Sequence, residues 1–178
     1  MKLIIMFIVL ITFLCSIASA TIVIEHPHIG NTYFVGEDDR YITLLHNSNA
    51  TNPTYTQMIT FLRKDKTDQN RYINGKYTCS EFARDVYNNA EKVGIRSAWV
   101  SLDFKNDYYG HACNAFKTTD KGLIYIDCTG NSDKKRATTD LDSKVNVVVG
   151  KPFIPIALFP PYYKYESMGI VKHVDIFW

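Results

Sequence analysis

Three side chains that could together perform nucleophilic catalysis follow one another in the middle of the chain: Cys79, His111 and Asp127. A cysteine thiolate attacks carbonyl carbon, an imidazole moves the proton, and a carboxylate orients the imidazole. Each residue alone has a commoner structural role, such as a core cysteine or an aspartate that caps a strand. The combination is more specific than any one member, provided that local structure brings the three together.

Cys79 is predicted to be the first residue of a helix. Thr78 and Glu81 have the spacing of a capping box, with Thr78 as the N-cap. An apolar stripe at helical spacing follows and Gly94 supplies the stop; the stripe comprises Phe82, Ala83, Val86, Ala90 and Val93. Unpaired N–H groups at a helix start favour a thiolate, so Cys79 is a candidate nucleophile. The helix alone leaves open the alternative of a buried core cysteine.

His111 and Asp127 are predicted to share a β-hairpin. Residues 111–117 and 123–128 have strand composition, and turn residues lie around Asp120–Gly122. A loop centred near residues 119 and 120 gives partner numbers that sum to 238 or 239, and a sum of 238 places His111 directly opposite Asp127. Asp127 could then orient the imidazole while the imidazole takes the proton of Cys79, which completes a catalytic triad.

These motifs resemble the transglutaminase-like superfamily of papain-fold cysteine enzymes. The resemblance rests on Cys79 at a helix start, the downstream GIR, the GHAxNAF strand and the YIDCT strand, and covers roughly residues 53–130. Within the superfamily, the chain is most similar to small secreted archaeal and bacterial transglutaminase-like proteins. The resemblance implies Cys79 as nucleophile, His111 as general base and Asp127 as orienter.

The elements that must position these residues predict an α+β fold, with two main helices packed on an antiparallel β-sheet. A first helix should begin at Asn52 as N-cap with Pro53 at its first position, and a charged connector, residues 63–71, should be a solvated loop. Strands are expected at 21–25, 40–45, 94–104, 145–150 and in the closing segment GIVKHVDIFW. The proline-rich stretch KPFIPIALFPPYY should be extended and wrap the sheet.

Several other residues have two readings each. Trp99 either lines a groove or covers the core. The polar residues Gln69, Asn74 and Tyr77 precede the nucleophile, and one of them could donate to an oxyanion, although the backbone N–H of Cys79 can do so without a side chain. The tyrosines of NDYYG (residues 106–110) could border the cleft. His173 and Asp175 share a strand face and could mimic a catalytic pair, but no cysteine helix is tied to them.

Composition suggests an exported, single-domain protein. Residues 1–20 have one lysine, a long apolar run and the ending Ala18-Ser19-Ala20, which predict a secretory signal peptide cleaved before Thr21. The domain would then span residues 21–178, without stable membrane insertion. Removal of Lys2 leaves 19 basic and 18 acidic residues, and their scatter gives no basis for a nucleic-acid partner.

Three cysteines remain after that cleavage: Cys79, Cys113 and Cys128. In the predicted hairpin Cys113 shares the face of His111, whereas Cys128 points away from the face of Asp127. A Cys113–Cys128 disulfide is therefore not expected.

The expected chemistry is thiol-dependent acyl transfer at amide or peptide bonds. Water as acceptor would give a peptidase or amidase, and an amine would give a transamidase; the triad does not decide between them. The substrate would be a peptide, a protein or a cell-wall polymer, with no cofactor and no metal required. The alternative is a secreted or cell-surface binding domain that keeps the fold without catalysis.

Overall fold

The computed structural model describes residues 23–26, 32–35, 41–105, 110–131 and 140–178. The predicted signal peptide and the NDYYG tyrosines lie outside these residues. Two α-helices are present in the described residues, α1 (Tyr55–Lys64) and α2 (Cys79–Lys92), with a 3-10 helix at Thr67–Gln69 between them. The strands are β1 (Val23–His26), β2 (Thr32–Val35), β3 (Tyr41–Leu44), β4 (Ala98–Phe104), β5 (His111–Thr118), β6 (Gly122–Asp127), β7 (Ser143–Val145), β8 (Pro152–Phe153), β9 (Ile156–Ala157) and β10 (Gly169–Phe177).

The α+β class is confirmed, but the main sheet is mixed. Its strand order is β1-β10-β4-β5-β6-β7-β9, β8 also pairs with β10, and β2 and β3 form a separate pair. β1 runs parallel to β10, whereas the other strand pairs are antiparallel. The expectation of an antiparallel sheet was wrong at this edge because β1 and β10 come from opposite ends of the chain, and no hairpin constrains their direction.

Helix α2 begins as predicted, whereas α1 begins two residues later than predicted. Thr78 is the N-cap of α2, and Gly94 takes the left-handed conformation after its end, with φ +81°. For α1 the N-cap is Thr54, whose side chain accepts from the N–H of Gln57 while the Gln57 side chain accepts from the N–H of Thr54. This capping box satisfies two N–H groups, which Asn52 followed by Pro53 does not do here.

The helices and the sheet enclose apolar clusters on both sheet faces. The alternate residues Ala98, Val100, Leu102 and Phe104 of β4 lie in one cluster, as predicted, together with Cys113 and Phe153. On the other face, α1 and α2 pack against residues of β5 and β6 and against Cys128. Val93 was predicted to belong to the apolar stripe of α2, but it is 63% exposed because it lies past the last turn of the helix.

The β5–β6 hairpin has a register two residues away from the predicted one. Its partner numbers sum to 240 rather than 238, as in the pair Asn114 and Ile126. A three-residue loop closes the hairpin: Thr118 pairs with Gly122, Thr118 Oγ1 accepts from Lys121 N at 3.1 Å, and Gly122 has φ +71°. Because the difference is two residues, each side chain keeps its predicted face.

Two other segments depart from their predicted form. The predicted strand 145–150 is wrong beyond Val145, where β7 ends. The chain then turns at Gly150, which has φ +83°. The connector 63–71 is not a fully solvated loop, because Thr67 and Asp68 of its 3-10 helix are buried. In the described part of the chain, neither helix has the length and apolar character needed to cross a membrane.

Candidate active site

Cys79 occupies the first position of α2, where the sequence predicted it. The Glu81 carboxylate accepts from the backbone N–H of Thr78 at 2.8 Å and from its hydroxyl at 2.9 Å, which fixes the entry of the chain into the helix. Cys79 is partly exposed and packs beside a buried cluster that includes Trp99. Trp99 donates its indole N–H to the carbonyl of Ser80 at 3.3 Å and is only 6% exposed, so it covers the helix start rather than an open groove.

His111 and Asp127 form a buried pair at the end of the hairpin opposite its turn. Nε2 of His111 lies 2.9 Å from Oδ2 of Asp127, and the N–H of Thr129 donates to Oδ1 of Asp127 at 3.0 Å. In the observed register the two residues are diagonal neighbours on one face, and such neighbours are within reach of long side chains. The His111 ring also packs edge-on against Phe153, with centroids 5.3 Å apart.

The Cys79 side chain acts on His111 together with Asp127, since both contribute to raising the pKa of the imidazole. Because Nε2 of His111 lies against Asp127, Nδ1 is the ring nitrogen available to a thiol. The three residues singled out from the sequence therefore meet at one place, as a catalytic triad requires.

The electrostatics of the pair favour a charged imidazole. Burial opposes the charge on His111. The charge of the Asp127 carboxylate, the hydrogen bond between Asp127 and His111, and the Cys79 side chain outweigh burial and raise the pKa of His111 to about 10. Burial also opposes the charge on Asp127, yet the imidazolium and the Thr129 hydrogen bonds hold the pKa of Asp127 below its ordinary value. The pair is thus an imidazolium–carboxylate ion pair at neutral pH.

Asn114 is a positioning residue that the sequence analysis missed. It is fully buried on β5, and its Nδ2 donates to the carbonyl of Ala83 on α2 at 2.8 Å and to that of Ala98 on β4 at 3.3 Å. These bonds join the helix that carries Cys79 to the strand that carries His111. The available signal was an amide in the middle of an otherwise apolar strand, since a buried amide needs partners.

A groove of about 520 Å³ opens beside the His111–Asp127 pair. Besides these two residues it is lined by the segment after β6 and by the proline-rich C-terminal segment, among them Thr129, Leu141, Ser143, Tyr163, Tyr165 and Glu166. Cys79 does not line this groove. The proline-rich stretch was predicted only to wrap the sheet, so its contribution to the groove wall was missed.

The remaining candidates from the sequence have other roles or no assigned role. Tyr77 accepts from Asn70 Nδ2 at 3.0 Å and donates to Asp85 at 2.6 Å, so its hydroxyl is structural. Gln69 and Asn74 have no assigned role. The backbone N–H of Cys79, at a helix start, can serve as an oxyanion donor without any side chain.

His173 and Asp175 form a separate group at the β1 edge of the sheet. Nε2 of His173 lies 2.8 Å from Asp175 Oδ2, and Nε2 of His26 lies 2.8 Å from Asp175 Oδ1. The group contains no thiol, because the described cysteines lie on α2, on β5 and just after β6. It therefore lacks the sulfur that a cysteine-based catalytic centre needs.

Comparison of the chain with protein-family models, with curated proteins and with solved structures finds no match.

Proposed function

We propose that this protein is a thiol-dependent acyl transferase or hydrolase that acts on amide or peptide bonds, with a papain-like, transglutaminase-like fold. The observation that carries the proposal is the buried His111 ring, which lies 2.9 Å from Asp127 and whose pKa is raised by both Asp127 and the Cys79 side chain. A buried histidine with only a structural role would have no need of a partly exposed thiol at a helix start as its second partner.

The chemistry follows from these positions. The Cys79 thiolate attacks the amide carbonyl carbon, and the backbone N–H of Cys79 stabilises the oxyanion. When the C–N bond breaks, the His111 imidazolium gives its proton to the leaving amine. In the second half of the reaction, neutral His111 takes a proton from water or from an acceptor amine, which attacks the thioester and releases Cys79. Asp127 stabilises the imidazolium in both halves.

The proposed setting is extracellular, since the sequence predicts a signal peptide before residue 21. A peptide, a protein or a cell-wall polymer is then the expected substrate class. The second candidate function is a binding domain without catalysis. The groove supports it, because Tyr163 and Tyr165 in its wall could hold an extended polymer without any covalent step.

The test compares wild type with Cys79→Ala and with Cys128→Ala as matched control. Both variants remove one sulfur atom, but Cys128 is buried in the cluster beneath α1 and α2, on the sheet face opposite to His111. An amide and peptide library with a fluorescent amine acceptor reports hydrolysis and transamidation together. We expect turnover in wild type and Cys128→Ala, and a loss of at least about 1000-fold in Cys79→Ala. Turnover retained by Cys79→Ala would rule out the thiol mechanism.

A further inference from the structure

Three carboxylates meet behind the segment that follows β6. Asp68 belongs to the 3-10 helix ahead of α2, and Asp140 and Asp142 lie just before β7. One ligand atom from each of the three lies within 4.8 Å of the corresponding atoms of the other two. The residues thus come from two segments 72 to 74 positions apart in the chain that the fold brings to one place.

The cluster is largely buried, and the charges of Lys66 and Arg63 nearby offset its own negative charge only in part. Asp68 is 1% exposed and Asp142 is 3% exposed, while Asp140 is half-buried. Among the described residues, no lysine or arginine forms an ion pair with any of them. Buried carboxylates normally have such a partner or bind a metal, because removing an unpaired charge from water costs several kcal/mol.

One oxygen of the cluster is buried without a hydrogen-bond donor. Oδ2 of Asp68 accepts from the N–H of Leu141 at 2.7 Å, so the carboxyl group of Asp68 lies against the 140–142 segment. Oδ1 of the same carboxyl group is fully enclosed and has no hydrogen-bond partner. The backbone N–H of Asp142 donates to Oδ1 of Asp140 at 3.1 Å, and the Cys128 thiol acts on Asp142. The Asp68 oxygen is therefore free to act as a ligand.

We propose that Asp68, Asp140 and Asp142 bind a hard divalent cation of the Ca²⁺ class. Carboxylate oxygens are the ligands that such cations prefer, and two oxygens on one Ca²⁺ ion, each at about 2.3–2.6 Å, are up to about 5 Å apart. A separation below 4.8 Å between the ligand atoms fits that limit. Backbone carbonyls and water would complete the coordination shell.

Such an ion would join the 3-10 helix to the segment before β7. The 3-10 helix is packed close to Gly130, where a Cβ atom would lie 2.7 Å from the carbonyl oxygen of Asp68. Gly130 and Leu141 line the groove, so the ion would hold the groove wall from behind without contacting substrate. Three carboxylates in a partly open loop site correspond to a Kd of about 0.1–1 mM, which is the range of extracellular Ca²⁺ modules.

The test is Ca²⁺ titration of the purified protein by calorimetry and by thermal unfolding, with NaCl of equal ionic strength as reference. We expect one site with a Kd of about 0.1–1 mM and a Tm increase of about 3 °C or more at 10 mM CaCl₂. If calorimetry detects no Ca²⁺ binding, or only binding with a Kd above about 5 mM, the proposal is wrong.

The matched variants are Asp68→Asn and, as control, Asp103→Asn on the exposed face of β4. Asp68→Asn should abolish the Ca²⁺-dependent Tm increase, and Asp103→Asn should keep it. Without Ca²⁺, Asp68→Asn should be at least as stable as wild type, because it removes one of three repelling charges while the amide oxygen still accepts from Leu141.

If Asp68→Asn does not fold, Asp140→Asn at the half-buried position gives the same readout. Unchanged Ca²⁺ binding in the folded variant would refute the assignment. None of these measurements uses catalytic activity, so they stand apart from the proposed function.

Discussion

Within the triad, the three side chains have unequal expected roles. Asp127 is hydrogen-bonded to His111, and in the proposed mechanism it acts by orienting and charging the imidazole. We therefore expect Asp127→Asn to lower turnover by about 100- to 10,000-fold. Cys79→Ala and His111→Ala should each abolish most of the wild-type turnover, a larger loss than that of Asp127→Asn. The measurement is kcat/KM of each variant on one amide substrate.

Double variants test whether the three residues act as a unit. Cys79→Ala combined with Asp127→Asn should cost little beyond Cys79→Ala alone, because the orienter has nothing left to assist. Losses that multiply instead would mean that Asp127 acts independently, for example by holding the hairpin end together.

The His111–Asp127 ion pair also predicts how stability depends on pH. The pKa of His111 is about 10 in the folded protein and about 6.5 in an unfolded chain. Between these values the folded state keeps a proton that the unfolded chain releases, so this contribution is complete below pH 6.5 and is lost as pH rises towards 10. We expect the free energy of unfolding, measured with urea, to fall by at least about 1 kcal/mol between pH 7 and 10.

Asp127→Asn is the control for that decline. Without the carboxylate the pKa of His111 should drop, and the decline above pH 7 should shrink accordingly. Asp127 contributes in the opposite direction: its lowered pKa stabilises the folded state above its ordinary value of about 3.8 and is lost as pH falls below it. If the free energy of unfolding falls equally above pH 7 in wild type and Asp127→Asn, the decline is due to groups other than His111.

Both α-helices of the described residues have a capping box, and that of α2 lies beside Cys79, the proposed nucleophile. Thr78→Ala should destabilise the fold by about 1 kcal/mol and slow alkylation of Cys79 by iodoacetamide, because the same turn supplies the N–H groups that favour the thiolate. Thr54→Ala on α1 is the matched control, with a similar loss of stability and no change in the alkylation rate. Equal alkylation rates in Thr78→Ala and Thr54→Ala would show that the capping box of α2 does not affect the reactivity of Cys79.

Local signals predicted the elements that follow from short-range chemistry. The Thr78–Glu81 spacing determined the start of α2, and alternation along β4 determined its buried face. For α1, the Asn52-Pro53 pair predicted a start two residues too early, and the hydrogen bonds between Thr54 and Gln57 set the actual boundary. The hairpin faces were predicted correctly despite the register error, since a shift of two residues preserves them.

Long-range features could not be read from local pattern. The parallel β1–β10 pair, the groove wall from the proline-rich segment and the meeting of Asp68 with Asp142 join residues far apart in sequence. No periodicity or spacing encodes such contacts, because they depend on how the whole sheet is assembled. Asn114 is intermediate: its unusual polarity was visible, but its partners on α2 and β4 were not.

Across the whole molecule, the sheet separates the three cysteines into different environments. Cys113 lies in the cluster on one face and Cys128 in the cluster on the other, and all three thiols are free. Burial raises the pKa of both Cys113 and Cys128 well above the ordinary thiol value, whereas Cys79 is partly exposed at a helix start.

In the native protein, brief iodoacetamide treatment near pH 7 should therefore label Cys79 alone, and denaturation should then expose the other two to a second, isotopically distinct reagent. Peptide mass mapping without reduction reads both labels. Labelling of Cys113 or Cys128 in the first step, or a Cys113–Cys128 disulfide peptide, would contradict the separation by the sheet, since opposite faces keep the two sulfur atoms apart.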